Sequence, residues 1–133
     1  MENAMERKAV NPWEWSLTLG YNQGEVVSGH TRICAGQTAV DADGAPQHAG
    51  DMAAQVSLAL DNLERVLEHA GMGLSNLVRL NIYTTDVDSL FQHYGVLAAR
   101  TGAAQVAPPG TLLGVARLAY PELMVELEAT AVA

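Results

Sequence analysis

Glu126 and Glu128 stand two residues apart in the apolar run Leu123-Met124-Val125-Glu126-Leu127-Glu128-Ala129. If that run is a strand, its period of two puts both carboxylates on one face. A carboxylate in a partly dry cleft can position a water molecule, take its proton and pass a proton to a leaving group. The structural alternative is an intersubunit salt bridge or hydrogen bonds to backbone amides. Two carboxylates roughly 7 Å apart along a strand could also suggest glycoside hydrolysis, but no cluster of sugar-stacking aromatics accompanies them. Taken alone, the pair leaves the catalytic and the structural readings open.

Other residues are candidates for contact with a ligand. Pro108-Pro109-Gly110 is a stiff turn whose Gly110 and Thr111 amides could receive a substrate oxygen, or simply a tight turn. Tyr21, beside Gly20, could close over a ligand or lie half-buried at an interface. Gln37, after Gly36, could present its amide to a cleft or satisfy backbone at a strand end. His30, His48, His69 and His93 are scattered without ligand spacing, so no metal is expected. Cys34 reads as a buried, inert thiol. Arg79 and Arg117 are strand arginines by this reading, able to pair with Glu126 or Glu128 across subunits. There is no Ser-His-Asp set, Walker loop or dinucleotide glycine motif.

The elements that must position these residues follow from periodicity. Residues 1–12 show none and read as a loosely attached arm. Trp15-Ser16-Leu17-Thr18-Leu19 alternates and suggests a first strand. Glu25-Val26-Val27 and residues 31–35 suggest two more, joined as a hairpin through Ser28-Gly29-His30. Residues 51–70 predict a helix. Met52, Val56, Ala59, Leu60, Leu63, Leu67 and Ala70 line one face, with Asp51 as N-cap and Gly71 as C-terminal stop. Residues 77–85 return to period two. A single shorter helix, capped by Asp86 or Asp88, runs through Leu90, Phe91, Tyr94 and Leu97, with Arg100 in its last turn and Gly102 after it. A C-terminal strand pair, residues 111–118 and 123–132, turns at Tyr120-Pro121 as a hairpin. The fold class is α+β: two helices on one face of a mixed sheet. The first strand of that pair is apolar on both faces, so a second subunit is expected on the open side.

Composition narrows the function. The chain has 133 residues, 49% of them apolar and 17% charged, which suits one packed domain. The domain is expected over residues 15–133, after an N-terminal arm of 1–14. A net charge of −8 argues against nucleic-acid and anionic-membrane partners. One cysteine, no secretion signal and no apolar run of spanning length together predict a soluble cytoplasmic protein.

A set of ordered fragments adds to this reading. These are Gly36-Gln37; Gln55 with Leu60-Asp61-Asn62-Leu63; Ala70-Gly71; Leu77-Val78-Arg79-Leu80 with Tyr83; and Asp86. The set ends with Val115-Ala116-Arg117-Leu118 and Val125-Glu126-Leu127-Glu128-Ala129. In order and spacing, from Trp15 to Val132, the chain resembles the Rid family (reactive intermediate deaminase, also called YjgF, with the older label L-PSP endoribonuclease). The resemblance implies a chorismate-mutase-like fold, a homotrimer with clefts between subunits, and cofactor-independent hydrolysis of imines and enamines to keto acids and ammonia. It places the family's catalytic glutamate on Glu126 and its pocket tyrosine on Tyr21. The serine position is Ala35, ahead of Gly36-Gln37. The carboxylate-clamping arginine position is Gly110, and a cysteine position two residues later is Leu112. An Asn-x-x-Tyr pattern of the second helix is absent, with Gly95 and Ala98 in its place. With no arginine at Gly110 and with Leu112 in the pocket, the ligand is expected to be neutral or less dependent on a carboxylate.

The resulting expectation is a Rid-like trimeric hydrolase with Glu126 as its catalytic residue. Its ligand site comprises Tyr21, Ala35, Gly36, Gln37, Gly110, Thr111 and Leu112, and Glu128 is structural. The alternative is a non-catalytic trimer that binds small metabolites. RNA cleavage is disfavoured by the negative charge.

Overall fold

A computed structural model describes residues 5–133. Strands are β1 (Glu6–Val10), β2 (Gly24–Ser28), β3 (Thr31–Ile33), β4 (Gln37–Thr38), β5 (Leu77–Thr84), β6 (Leu112–Gly114) and β7 (Val125–Val132). Helices are α1 (Met52–His69), α2 (Val87–Gln92) and α3 (Tyr94–Ala103).

Helix α1 forms where its periodicity places it. The Asp51 carboxylate accepts the Ala54 amide at 3.1 Å, filling one of the orphan donors of the first turn. Gly71 lies just past the C-terminal end at φ +74. Met52, Val56, Ala59, Leu60, Leu63 and Leu67 are all buried against the sheet. Full burial of each of the larger side chains is worth roughly 1.5–3 kcal/mol.

The main sheet has the order β3-β7-β5-β6, with β4 also paired to β7. Strands β5 and β7 run antiparallel at its centre, and β6 joins β5 in parallel. The alternation of β5 is visible as burial: Leu80, Ile82 and Thr84 lie under the helices, while Arg79, Asn81 and Tyr83 face the open side. In β7, Val125, Leu127, Ala129 and Ala131 are buried beneath α1, and Glu126 and Glu128 take the open face. The mixed α+β architecture and its helix-covered sheet are as expected.

Several local expectations are corrected. Trp15–Leu19 is a 3-10 helical turn, not a strand: only Ser16 is buried, so the alternation has no partner strand to reward it. Residues 6–10 do not lie loose, because β1 pairs along its length with β2. The first four residues of the expected arm lie outside the described residues. Strands β2 and β3 are not a hairpin; β2 pairs with β1, β3 pairs with β7, and Gly29 lies between them. The second helix is divided at His93, the junction of α2 and α3, so the sheet carries three helices. Asp86, not Asp88, caps α2 through the Ser89 amide at 3.0 Å.

The largest correction concerns the C-terminal pair. Strand β6 is only three residues long, and β5 lies between it and β7. The segment after Gly114 carries the chain across the sheet instead of reversing it into a hairpin. Arg117 sits in that segment, outside any strand, and donates to the Leu118 and Ala119 carbonyls at 3.1 and 3.3 Å.

Candidate functional site

Two groups of candidate residues gather in different places. The first surrounds a pocket of about 420 Å³ on the helix side of the β5–β6 edge. Tyr21, Gly110, Thr111 and Leu112 line it, together with Leu80 and Ile82 of β5 and Phe91, Tyr94 and Leu97 of α2 and α3. Tyr21 is carried there by the 3-10 turn, whose Ser16 carbonyl accepts the Tyr21 amide at 3.2 Å. Its ring meets Trp15 edge-to-face, with centroids 6.1 Å apart. On the far side, the Asn22 amide donates to the Ala107 carbonyl at 2.8 Å, tying this segment to the loop before β6. Burial, with a further push from the Tyr21 phenol, raises the pKa of Tyr94 above its ordinary value.

Of the two alternatives for the turn before β6, the tight turn is the better match. The Thr111 amide is taken by the Asn81 side-chain oxygen at 3.0 Å, so it is not free for a substrate oxygen. A Cβ on Gly110 would fall onto the Leu80 carbonyl oxygen. The neighbouring bonds, Leu80 amide to Pro109 carbonyl and Ile82 amide to Thr111 carbonyl, lock this close approach. The turn is therefore built for a glycine, and not merely missing an arginine.

The second group lies on the open face. Glu126 is half-buried on β7, opposite Tyr83 of β5 on one side and Thr38 of β4 on the other. Its carboxylate occupies the space that a Gly36 side chain would fill. No hydrogen bond or ion pair engages that carboxylate among the described residues. Ala35 is exposed beside Gly36, while Cys34 turns into the core, where burial raises its thiol pKa. The Gln37 side chain donates to the Ala35 carbonyl at 3.2 Å, so it satisfies backbone at the strand end.

Glu128 is engaged quite differently. It accepts from the Asn81 amide at 3.0 Å and from the Tyr83 hydroxyl at 2.8 Å. These bonds hold its carboxyl below the ordinary range and raise the Tyr83 phenol. Because Asn81 also holds Thr111, this set fastens β7 to β5 and to the turn before β6.

Two residues of α1 position the glutamate group from the core side. Gln55, fully buried, donates to the carbonyls of Gln47, His48 and Glu122 and accepts the Met124 amide at 2.7 Å, two residues before Glu126. Asn62 donates to the Thr38 and Val40 carbonyls at 2.8 and 3.0 Å, fixing β4 next to Gly36-Gln37. They are seven apart, hence on one helix face.

The two groups do not meet within one chain. Leu112 is level with Ile82, on the helix side, whereas Glu126 is level with Tyr83, on the open side. Two strand spacings, about 10 Å, also separate β7 from β6. Sequence reading missed Phe91, Tyr94 and Leu97 as pocket residues because their helical spacing is also that of a core face.

The comparisons agree with this architecture. The profile of the family described as Endoribonuclease L-PSP matches residues 15–133. The chain is 39% identical over 85 residues to the mitochondrial protein mmf2 of Schizosaccharomyces pombe, covering 63% of this chain and 64% of that protein. It thus spans slightly less than two thirds of that relative's length. YyfB from Yersinia pestis, a Rid-family protein of unknown function, superposes with a TM-score of 0.86 at 32% identity, covering 96% of this chain and 98% of YyfB. TdcF from E. coli, solved with bound serine, gives a TM-score of 0.71 at 26% identity over 85% of this chain and 87% of TdcF. With its open-faced sheet, its three helices and a matching profile over nearly its whole length, the chain belongs to the Endoribonuclease L-PSP family, the Rid or YjgF family of its structural relatives.

Proposed function

We propose that the chain is a small-molecule hydrolase of the deaminase type, acting on imines or enamines in clefts between the subunits of a homotrimer. The observation that carries this reading is the state of Glu126: a half-buried carboxylate seated over Gly36, with no partner among the described residues, on the uncovered face of the sheet. A structural glutamate would be engaged as Glu128 is.

The open face also exposes Ile33 at 85% and Leu113 at 48%. Apolar side chains on an uncovered sheet face favour a covering subunit. A neighbouring copy on this face would bring its own pocket toward Glu126, joining the two half-sites that one chain keeps apart. The single buried thiol and the acidic surface suit a reducing cytoplasm.

In the reaction, Glu126 takes a proton from water as the water oxygen bonds to the imine carbon, and returns that proton to the nitrogen to give a neutral carbinolamine. Glu126 then takes the carbinolamine hydroxyl proton and delivers it to the nitrogen as the C–N bond breaks. Ammonia leaves, the carbonyl compound remains and Glu126 is again a carboxylate. No cofactor enters these steps.

The test is semicarbazide trapping of imines released by an amino-acid oxidase and by a primary-amine oxidase. The protein should reduce trapping for at least one of them. Glu126→Gln should slow that hydrolysis by about 100-fold or more. An unchanged rate in Glu126→Gln would remove Glu126 from the chemistry. Ligand-induced thermal stabilisation without turnover would instead support a metabolite-binding trimer, a reading favoured by Gly110 and Ala35 standing where polar contacts are expected.

A further inference from the structure

We propose that the pocket selects a neutral, apolar carbonyl or imine compound, carrying an aryl or branched-alkyl group, and discriminates against the corresponding α-keto or α-imino acid. The inference rests on the reading that this pocket is one half of the ligand site, and it names the substrate class of that site.

The lining contains no ionisable cation or carboxylate: its 13 residues are Gly, Pro, Thr, Leu, Ile, Phe and Tyr. A carboxylate entering it would lose hydration without a compensating charge, which is costly in an apolar environment. Three potential sources of compensation are closed. Residue 110 cannot carry a clamp, because the Leu80 carbonyl oxygen stands where its Cβ would be. The Thr111 amide is committed to Asn81. Arg100, the one arginine of the lining helix α3, turns away from the pocket to Asp61 and Glu64 on α1, at 2.9 and 3.2 Å. The Leu80 carbonyl adds the wrong partial charge for an anion at the turn.

The polar contacts suit a neutral acceptor. Thr101, buried, donates back to the Leu97 and Ala98 carbonyls of its own helix. The hydroxyls of Tyr21 and Tyr94 have no hydrogen-bond partner among the described residues, and both rings line the pocket. A phenol donates one hydrogen bond, and a ketone oxygen or imine nitrogen accepts it without bringing a charge. Leu80, Ile82, Phe91, Leu97 and Leu112 then provide the surface for the hydrocarbon part, so orientation comes from the phenols and affinity from apolar burial.

Matched pairs separate charge from shape. Calorimetric titration of the full chain would use 1-phenyl-2-propanone against phenylpyruvate, and 4-methyl-2-pentanone against 4-methyl-2-oxopentanoate. Each pair differs only in a methyl group replacing the carboxylate. The ketone should bind about tenfold more tightly or better in each pair. Leu112→Arg should reverse that order. Tyr94→Phe should weaken the ketones severalfold while leaving propylbenzene unchanged, and it serves as the test if Leu112→Arg does not fold. Equal or tighter binding of the keto acids, no binding of either ketone, or an unchanged ketone affinity in Tyr94→Phe would overturn the proposal. These outcomes require no turnover. Preference for ketones without any hydrolysis would sink the enzymatic reading alone, whereas hydrolysis confined to α-imino acids would sink this inference alone.

Discussion

The pocket beneath the 3-10 turn and the open face that carries Glu126 share strand β5, yet they are built from opposite chemistry. On the helix side, Leu80 and Ile82 project into a cavity whose uncommitted polar side-chain atoms, among the described residues, are the Tyr21 and Tyr94 phenols and the Thr111 hydroxyl. On the open side, Arg79, Asn81 and Tyr83 project among carboxylates. On the proposed reading, one strand serves a dry half-site through its even residues and a polar half-site through its odd ones. Each half lacks what the other holds: the pocket has no carboxylate, and the glutamate group has no enclosing apolar surface. Under that proposal the chain separates recognition from chemistry by the thickness of its sheet.

The largest structural break of that arrangement is expected at Gln55, which serves only the glutamate half. Gln55→Ala deletes four hydrogen bonds and leaves the Met124 amide unpaired beneath β7. A loss of about 2–4 kcal/mol in unfolding free energy is expected, read from urea denaturation. Under conditions where the variant remains folded, ketone binding to the pocket should persist while turnover falls. A change confined to ketone binding would show that the halves are not separately supported.

Gly36→Ala should act more narrowly. The added Cβ collides with the Glu126 carboxylate and displaces it. Hydrolysis should fall by about tenfold or more, since misplacement by about an ångström is costly. Ketone affinity should hold. Loss of binding with turnover retained would reverse the assignment of the two halves.

The smallest effect is expected from the acid limb of stability. Glu128 has a depressed pKa in the fold, from its bonds to Asn81 and Tyr83. Its contribution is therefore present above the ordinary glutamate pKa and is lost as pH falls through the folded value. Glu25 has the opposite sign. Burial raises its pKa against the pull of Arg7 and Asn22, so its ionisation costs stability as pH rises through the folded value. Thermal melts of Glu128→Gln between about pH 5 and about pH 3 should show a shallower decline than the parent protein. A steeper decline would remove Glu128 as the fastening of β7 to β5.

Much of the scaffold was legible in local pattern. The apolar face of α1, its Asp51 cap, the alternation along β5 and β7 and the ordered fragments that identify the family are all properties of neighbouring residues, governed by helix and strand periods. The glutamate pair divides along the same lines. Its shared face follows from spacing, but its division of labour depends on Asn81 and Tyr83 binding Glu128 and on Gly36 making room for Glu126. Tyr94 and Phe91 were hidden for a related reason: an amphipathic helix face looks the same whether it meets a packed core or a cavity.

By itself, then, the sequence determined the class of the fold, the helix that anchors it, the acidic character of the chain and the face on which Glu126 stands. Only tertiary structure decided that β5 lies between β6 and β7, that Trp15–Leu19 turns instead of extending, and that Gly110 admits no side chain. Periodicity specifies which side of an element is apolar. It does not specify which strand becomes its neighbour, because pairing partners here are tens of residues apart and are chosen by the packing of the whole sheet. The separation of pocket from glutamate follows from that choice of neighbours.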